Sequence, residues 1–202
     1  IVGICGNSMG WYTALAAAGS LGHRDAATLV ETMGAFQTDN VIGGQILYPV
    51  VGDDWRPAPE LQALVDAAVA DIPELHWSIR LGGQAVLGGS DDALRAAQAQ
   101  LPALERGVAR YPLKLPLHSA FHTPLLSGTR ARASAALEAL QWRAPSVPLV
   151  DGRGHVFPAN WADPAQIRAW TLGAQIDDMF NLSAMIEAAL GELGPEVIVL
   201  PG

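Results

Sequence analysis

The stretch richest in chemistry is Gly6-Asn7-Ser8-Met9-Gly10. A serine spaced as Gly-x-Ser-x-Gly is the pattern of a nucleophile elbow, where a strand turns tightly into a helix and presents the hydroxyl. The glycines let the chain reverse with no Cβ in the way. Ser8 then stands at a helix start, where free N–H groups and the positive dipole end favour a developing oxyanion. A serine hydroxyl is a poor nucleophile at neutral pH and needs a base. The histidines are His23, His76, His118, His122 and His155. His23 falls in a turn, His76 opens a strand and His155 lies in a polar, Gly-rich loop, all positions of solvated bystanders. His118 and His122 share one segment that returns to the core, and α/β folds place ligands at such crossing points beside the carboxyl ends of strands. Pattern alone does not rank one above the other.

The flanking elements fit the elbow. Residues 1–5 are a short apolar run of buried-strand type, and residues 11–18 read as helix. A second helix over 24–37 carries Leu29, Val30, Met33 and Phe36 on one stripe, which makes Met33 a core or pocket-wall residue. From residue 40 the texture changes. Strand-like residues 41–51 precede an amphipathic helix over 59–71, a strand over 76–81, a Gly82-Gly83 hairpin turn and a returning strand over 85–87. Ser90 caps a helix over 91–105, and 110–117 is another strand. This order, β-α-β-β-α-β, predicts a ferredoxin-like subdomain over 40–117. A helix follows residue 126 and runs to about 140, with a strand over 147–150. Asp163-Pro164 opens a helix to 172, residues 181–193 form one more, and 197–200 a last strand. Helices alternating with apolar strands outside the insert predict an α/β class, with a mostly parallel, hydrolase-like core built from 1–39 and 118–202.

Composition narrows the function classes. Half of the 202 residues are apolar, enough for a sizeable core, and Lys114 is the only lysine. The formal charge of −8 disfavours nucleic acid and anionic membranes as partners. One cysteine, Cys5, rules out an internal disulfide and fits a reducing, cytoplasmic setting. No run is long and apolar enough to span a membrane, and no Cys/His spacing suggests a metal. Both ends look cut, since an apolar strand opens the sequence and an apolar run precedes Pro201-Gly202.

The elbow, the Ala-rich helix after it, the helix ending Glu31-Thr32-Met33-Gly34-Ala35-Phe36, the insert and Ser119-Ala120-Phe121-His122-Thr123-Pro124-Leu125-Leu126 together resemble the malonyl-CoA:acyl-carrier-protein transacylase family. That family serves fatty-acid and polyketide biosynthesis. The resemblance covers essentially the whole chain. It implies an acyltransferase that moves malonyl or another small acyl group from CoA to an acyl carrier protein through a seryl acyl-enzyme. Its partners are acyl-CoA and the carrier protein, and no cofactor is needed beyond the substrate's own CoA and the carrier's phosphopantetheine. Ser8 corresponds to the nucleophile and His122 to the base. The Met9 N–H corresponds to an oxyanion donor, and Thr171, within Trp170-Thr171-Leu172, to the backbone carbonyl that orients the histidine.

Four departures stand out against that family. Met33 occupies the position of an arginine that grips the malonyl carboxylate bidentately. A buried unpaired carboxylate costs roughly 3 to 5 kcal/mol, so malonyl preference should fall on the order of a thousandfold. Arg80, where the family usually carries Asn near the pocket, is a candidate replacement cation. Asn7 replaces His or Gln, and Trp11 replaces an acidic residue, at the pocket mouth or in its packing. The family's N-terminal strand, with a second oxyanion donor, is absent. The tetrapeptide Ser119-Ala120-Phe121-His122 is closer to the malonyl-selective than to the methylmalonyl form. Phe121 should narrow the pocket so that acetyl- or malonyl-sized groups fit best.

Three other readings compete. An acyl-thioester hydrolase on the same scaffold would resolve the acyl-serine with water. An esterase with the order Ser, acid, His would need Asp53 or Asp54 before His122, or Asp151 before His155. A non-catalytic docking relative would suit the changes at Met33, Asn7 and Trp11. An acidic carrier protein would call for a basic patch, for which Arg130 with Arg132 and Arg106 with Arg110 are candidates.

Overall fold

The computed structural model describes residues 1–200. The first segment comprises β1 (Ile4–Cys5), α1 (Gly10–Ala17) and α2 (His23–Asp39). The insert follows as β2 (Gly44–Pro49), α3 (Pro59–Asp71), β3 (Leu75–Leu81), β4 (Gln84–Gly89), α4 (Asp91–Gln100), β5 (Leu104–Arg106), β6 (Ala109–Tyr111) and β7 (Leu113–Leu115). A 3₁₀ turn, Pro124–Leu126, leads to α5 (Ser127–Ala136), β8 (Leu149–Val150), β9 (Val156–Phe157), α6 (Pro164–Thr171), α7 (Ala174–Asp177), β10 (Phe180–Asn181) and α8 (Leu182–Leu193). Among the described residues no helix is long and apolar enough to cross a membrane.

Local chemistry sets several boundaries. The Ser90 side chain accepts from Ala93 N and starts α4. Asp163 accepts from Ala165 N with Pro164 at the first helical position of α6, and Asn181 accepts from Ala184 N to cap α8. Gly82, with φ +61, makes the turn between β3 and β4.

The sheets are mixed, which corrects the expectation of a mostly parallel core. β1 pairs with β8 in parallel, but β8 pairs with β9 antiparallel. The larger sheet runs β10-β3-β4-β2-β7. Its four insert strands are antiparallel to their neighbours, and β10 joins in parallel to β3, so a strand from the C-terminal segment extends the insert's sheet. Three further expectations change. α4 stops at Gln100 because Pro102 cannot continue it, and Gly107, with φ +58, turns the next residues into the β5–β6 hairpin. Pro112 then divides the expected strand over 110–117 into β6 and β7. Residues 197–200 form no strand: their side chains are exposed, and no ladder partner meets them among the described residues. Pro201 and Gly202, which close the expected core segment, lie outside those described.

Three apolar clusters hold these layers. Trp11, Leu15, Leu29, Leu149, Phe157 and Ile167 join α1, α2 and α6 to the small sheet. Ile46, Tyr48, Val65, Leu75, Leu87 and Leu94 pack α3 and α4 on one face of the larger sheet. Ile79, Val86, Val150, Phe180 and Met185 lie between the two sheets and α8. The strand ends that meet at this junction frame the elbow.

Candidate active site

Ser8 has φ +52 and His122 φ +55, so both sit in the left-handed region that non-glycine residues rarely adopt. Such backbone costs about 1 to 3 kcal/mol per residue and persists only where surrounding structure fixes it. At Ser8 the cause is the tight strand-to-helix reversal. Gly10 N donates to Asn7 O and Trp11 N to Ser8 O. A Cβ on Gly6 would lie 2.1 Å from the Gly10 backbone, so the close crossing of β1 and α1 admits only glycine there. At His122, the backbone N–H donates to Ile176 O, 3.1 Å away, and Thr123 Oγ1 donates to Ala120 O at 2.6 Å. The preceding residue is fixed by Ser78 Oγ, which donates to Phe121 O at 2.7 Å and accepts from Gln45 Nε2 at 2.6 Å.

These constraints bring two residues 114 positions apart into contact: His122 Nε2 lies 2.8 Å from Ser8 Oγ. With Nε2 unprotonated, the hydroxyl donates to it, which is the geometry of a nucleophile and its base. His122 is 4% exposed, and burial pushes its pKa down to about 4. The backbone of Gln175 opposes that shift. Only an acceptor favours the imidazolium, so this group is the Gln175 carbonyl. His122 Nδ1 is buried and has no hydrogen-bond partner among the described residues.

Thr171, whose backbone carbonyl is the one expected to orient the histidine, has its side chain engaged in the core. Its hydroxyl accepts from Trp11 Nε1 and donates to Ile167 O, each at 2.8 Å, which ties α6 to α1. α6 ends at Thr171, and the next short helix, α7, meets the His122 backbone through Ile176 O. Gln175 on α7 acts twice, since its Nε2 also donates to Ser8 O at 2.9 Å. Nothing in the sequence marked it; a buried glutamine just past the Gly173 turn is a weak signal. Gln175→Ala should lower turnover about tenfold and stability by about 1 kcal/mol, the value of one buried hydrogen bond. Paired kinetics and chemical denaturation check both.

Arg80 does not reach the site. Successive strand side chains alternate between faces. Ile79 and Leu81 line the Ser8 cavity, whereas the Arg80 guanidinium lies 4.4 Å above the Trp77 ring, beside a separate cleft with Gln84 and Asn181. Asn7, Met9, Met33 and Phe121 do line the cavity. Met9 N–H enters no hydrogen bond among the described residues and remains available to an oxyanion. Trp11 is buried in the core against Phe157, away from any pocket mouth. His118 is exposed at the rim, with Nδ1 donating to Pro116 O, so of the two histidines in this segment the contact with Ser8 belongs to His122.

The esterase reading fails on its acid. Asp151 is buried, but it accepts from Arg153 and from the His155 backbone. Asp53 is exposed and pairs with Arg106, and Asp54 pairs with Arg56. Among the described residues none of these carboxylates contacts a histidine ring.

A serine hydroxyl in hydrogen-bond contact with a buried histidine, in a mixed α/β fold, is an arrangement able to support acyl transfer or acyl hydrolysis. Known proteins narrow this. The chain is 29% identical over 150 residues to the malonyl CoA-acyl carrier protein transacylase of Escherichia coli K12, covering 73% of this chain and 46% of that protein. It is likewise 29% identical over 147 residues to the polyketide biosynthesis protein ThaF of Burkholderia thailandensis, covering 73% of this chain and 12% of that protein. The crystal structure of malonyl-CoA:acyl carrier protein transacylase from Xanthomonas oryzae superposes with a TM-score of 0.74 at 27% identity, over 96% of this chain and 58% of that one. The chain thus spans about half the length, or less, of the curated relatives it matches. No protein-family model matches it. The resemblance read from the motifs is therefore the one that both sequence and structural neighbours return.

Proposed function

We propose that this chain carries the catalytic centre of an acyltransferase that moves an acyl group from CoA to an acyl carrier protein. The observation that carries the proposal is the 2.8 Å contact between Ser8 Oγ and His122 Nε2 at the wall of a cavity. His122 Nε2 takes the Ser8 proton as Oγ attacks the thioester carbonyl carbon. The carbonyl oxygen becomes the oxyanion, within reach of the Met9 N–H. The carbon–sulfur bond then breaks, and the departing CoA sulfur takes the proton from His122. The phosphopantetheine thiol of the carrier protein gives its proton to His122, attacks the acyl-serine, and Ser8 leaves with that proton. Oxyanion donors of this kind are worth about 3 to 4 kcal/mol each. The reaction so written needs no bound cofactor, and the single Cys5 suits a cytoplasmic setting.

The same reading extends to architecture. On this reading residues 40–117, with the order β7-β2-β4-β3 and helices α3 and α4, make a ferredoxin-like subdomain, and 1–39 with 118–200 a hydrolase-like core. Arg132 is the better-placed docking cation for an acidic carrier. It is exposed and lies 4.2 Å over the ring of Phe36, a wall residue of the cavity, whereas Arg130 is held by Asp177.

Transfer and hydrolysis separate in one experiment. Acyl-loaded full-length protein, freed of CoA, should discharge at least about tenfold faster with a phosphopantetheinylated carrier protein than in buffer alone. The acyl group should be recovered on the carrier. Equal discharge in both, with free acid as product, would identify a hydrolase.

A further inference from the structure

We infer that the cavity at Ser8 selects an uncharged acyl group and disfavours one that ends in a carboxylate; this rests on reading Ser8 as the acyl acceptor. The cavity measures about 440 Å³, and much of its wall is apolar, from Met33, Leu47, Ile79, Leu81, Val86 and Phe121. Among the described residues no lysine or arginine lines it. Of the arginines near its walls, Arg80 covers Trp77 and Arg130 pairs with Asp177, while Arg132 stacks over the Phe36 ring without itself lining the cavity.

Besides its glutamines, the wall carries polar groups from Asn7, Asn40, His118 and Thr129. Three glutamine amides face the cavity, and each directs a donor at the protein itself. Gln37 Nε2 donates to Leu117 O, Gln45 Nε2 to Ser78 Oγ and Gln175 Nε2 to Ser8 O. Gln175 is 2% exposed, and its Oε1 is buried with no donor. A carboxylate entering here meets a largely apolar wall with no lysine or arginine on it, so it loses hydration without gaining a guanidinium or ammonium partner. An alkyl end gains about fourfold in binding for each methylene it buries against the same wall. Met33 brings a flexible thioether, with no donor, to the cavity from α2.

Acetoacetyl-CoA and malonyl-CoA supply the test, because their acyl groups have equal numbers of heavy atoms and differ in a terminal methyl against a carboxylate oxygen. Loading of Ser8 on the full-length protein is followed by intact mass at matched concentrations. Acetoacetyl should load at least about a hundredfold faster than malonyl, a value set below the fully buried limit because the cavity is open to water on one side. Met33→Arg should narrow or reverse that ratio by giving the carboxylate a bidentate partner. Malonyl loading as fast as acetoacetyl in the unmodified protein overturns the inference and leaves the acyltransferase reading standing. An unchanged ratio in a Met33→Arg protein that still loads acetoacetyl removes Met33 as its cause. Absence of a Ser8 adduct from either thioester overturns the acyltransferase reading, and the selectivity with it.

Discussion

Replacing Ser8 by alanine is expected to lower acyl transfer by about 10⁴-fold or more, leaving only what binding and oxyanion stabilisation contribute without a nucleophile. The size of the loss follows from the elbow. Ser8 Oγ is held 2.8 Å from its base by a left-handed backbone that Gly6, the α1 turn and Gln175 together enforce. No neighbouring hydroxyl shares that position. Because the side chain removed is small and half-buried, the variant should unfold at nearly the same denaturant concentration as the parent. A steady-state assay of acyl transfer to the carrier protein, beside a denaturation curve, reads both quantities. A loss of less than tenfold in a folded variant would mean that Ser8 is not the acyl acceptor.

His122→Ala carries the second large effect, a fall of about 10²- to 10⁴-fold in the rate of Ser8 loading, the range of a positioned general base. The pH dependence identifies the role. Burial holds the His122 pKa near 4, against an ordinary value of 6.5. Above about 4 the ring is neutral in the folded protein and can accept the Ser8 proton; below it the ring is charged and cannot. The acid limb of kcat/KM should therefore lie near pH 4 rather than near 6.5, and the variant should lose it. Stability follows the same sign. The unfolded chain binds this proton from about 6.5 downward and the folded chain only near 4, so stability falls as pH drops through that window. An acid limb at 6.5, or a His122→Ala protein that loads at the parent rate, would contradict the assignment.

Local signals were legible where one residue type has one job. The helix over 59–71 was bounded by its proline and its apolar stripe, α4 was opened by Ser90, and the β3–β4 turn was marked by Gly82-Gly83. The elbow was legible because glycine spacing and flanking hydrophobicity are backbone demands. Orientation was less legible. Arg80 looked like a rescue cation until the strand placed Ile79 and Leu81, not Arg80, on the cavity wall. Strand direction also escaped, because two-residue strands such as β1, β8 and β10 leave little periodicity to read. Gln175 escaped for a different reason. Its contact with His122 is through the backbone, and its partner Ser8 lies 167 residues away, so no local pattern encodes it.

The fold and the site depend on each other at a few points. β10 extends the insert's sheet beside β3 and brings Phe180 against His122, with ring centroids 5.6 Å apart. Gln45 on β2 and Ser78 on β3 then hold the Phe121 carbonyl from the insert side. The base is thus fixed by α7 on one side and by the insert on the other, and the nucleophile by the elbow together with Gln175 of α7. Acyl selectivity belongs to the wall between them.

The most direct test of this account is peptide mapping of the full-length protein after brief incubation with an acyl-CoA. The account predicts a single acyl group on the peptide carrying Ser8, absent from Ser8→Ala and slow to form in His122→Ala. An acyl group on any other residue, or one that persists in Ser8→Ala, would contradict it.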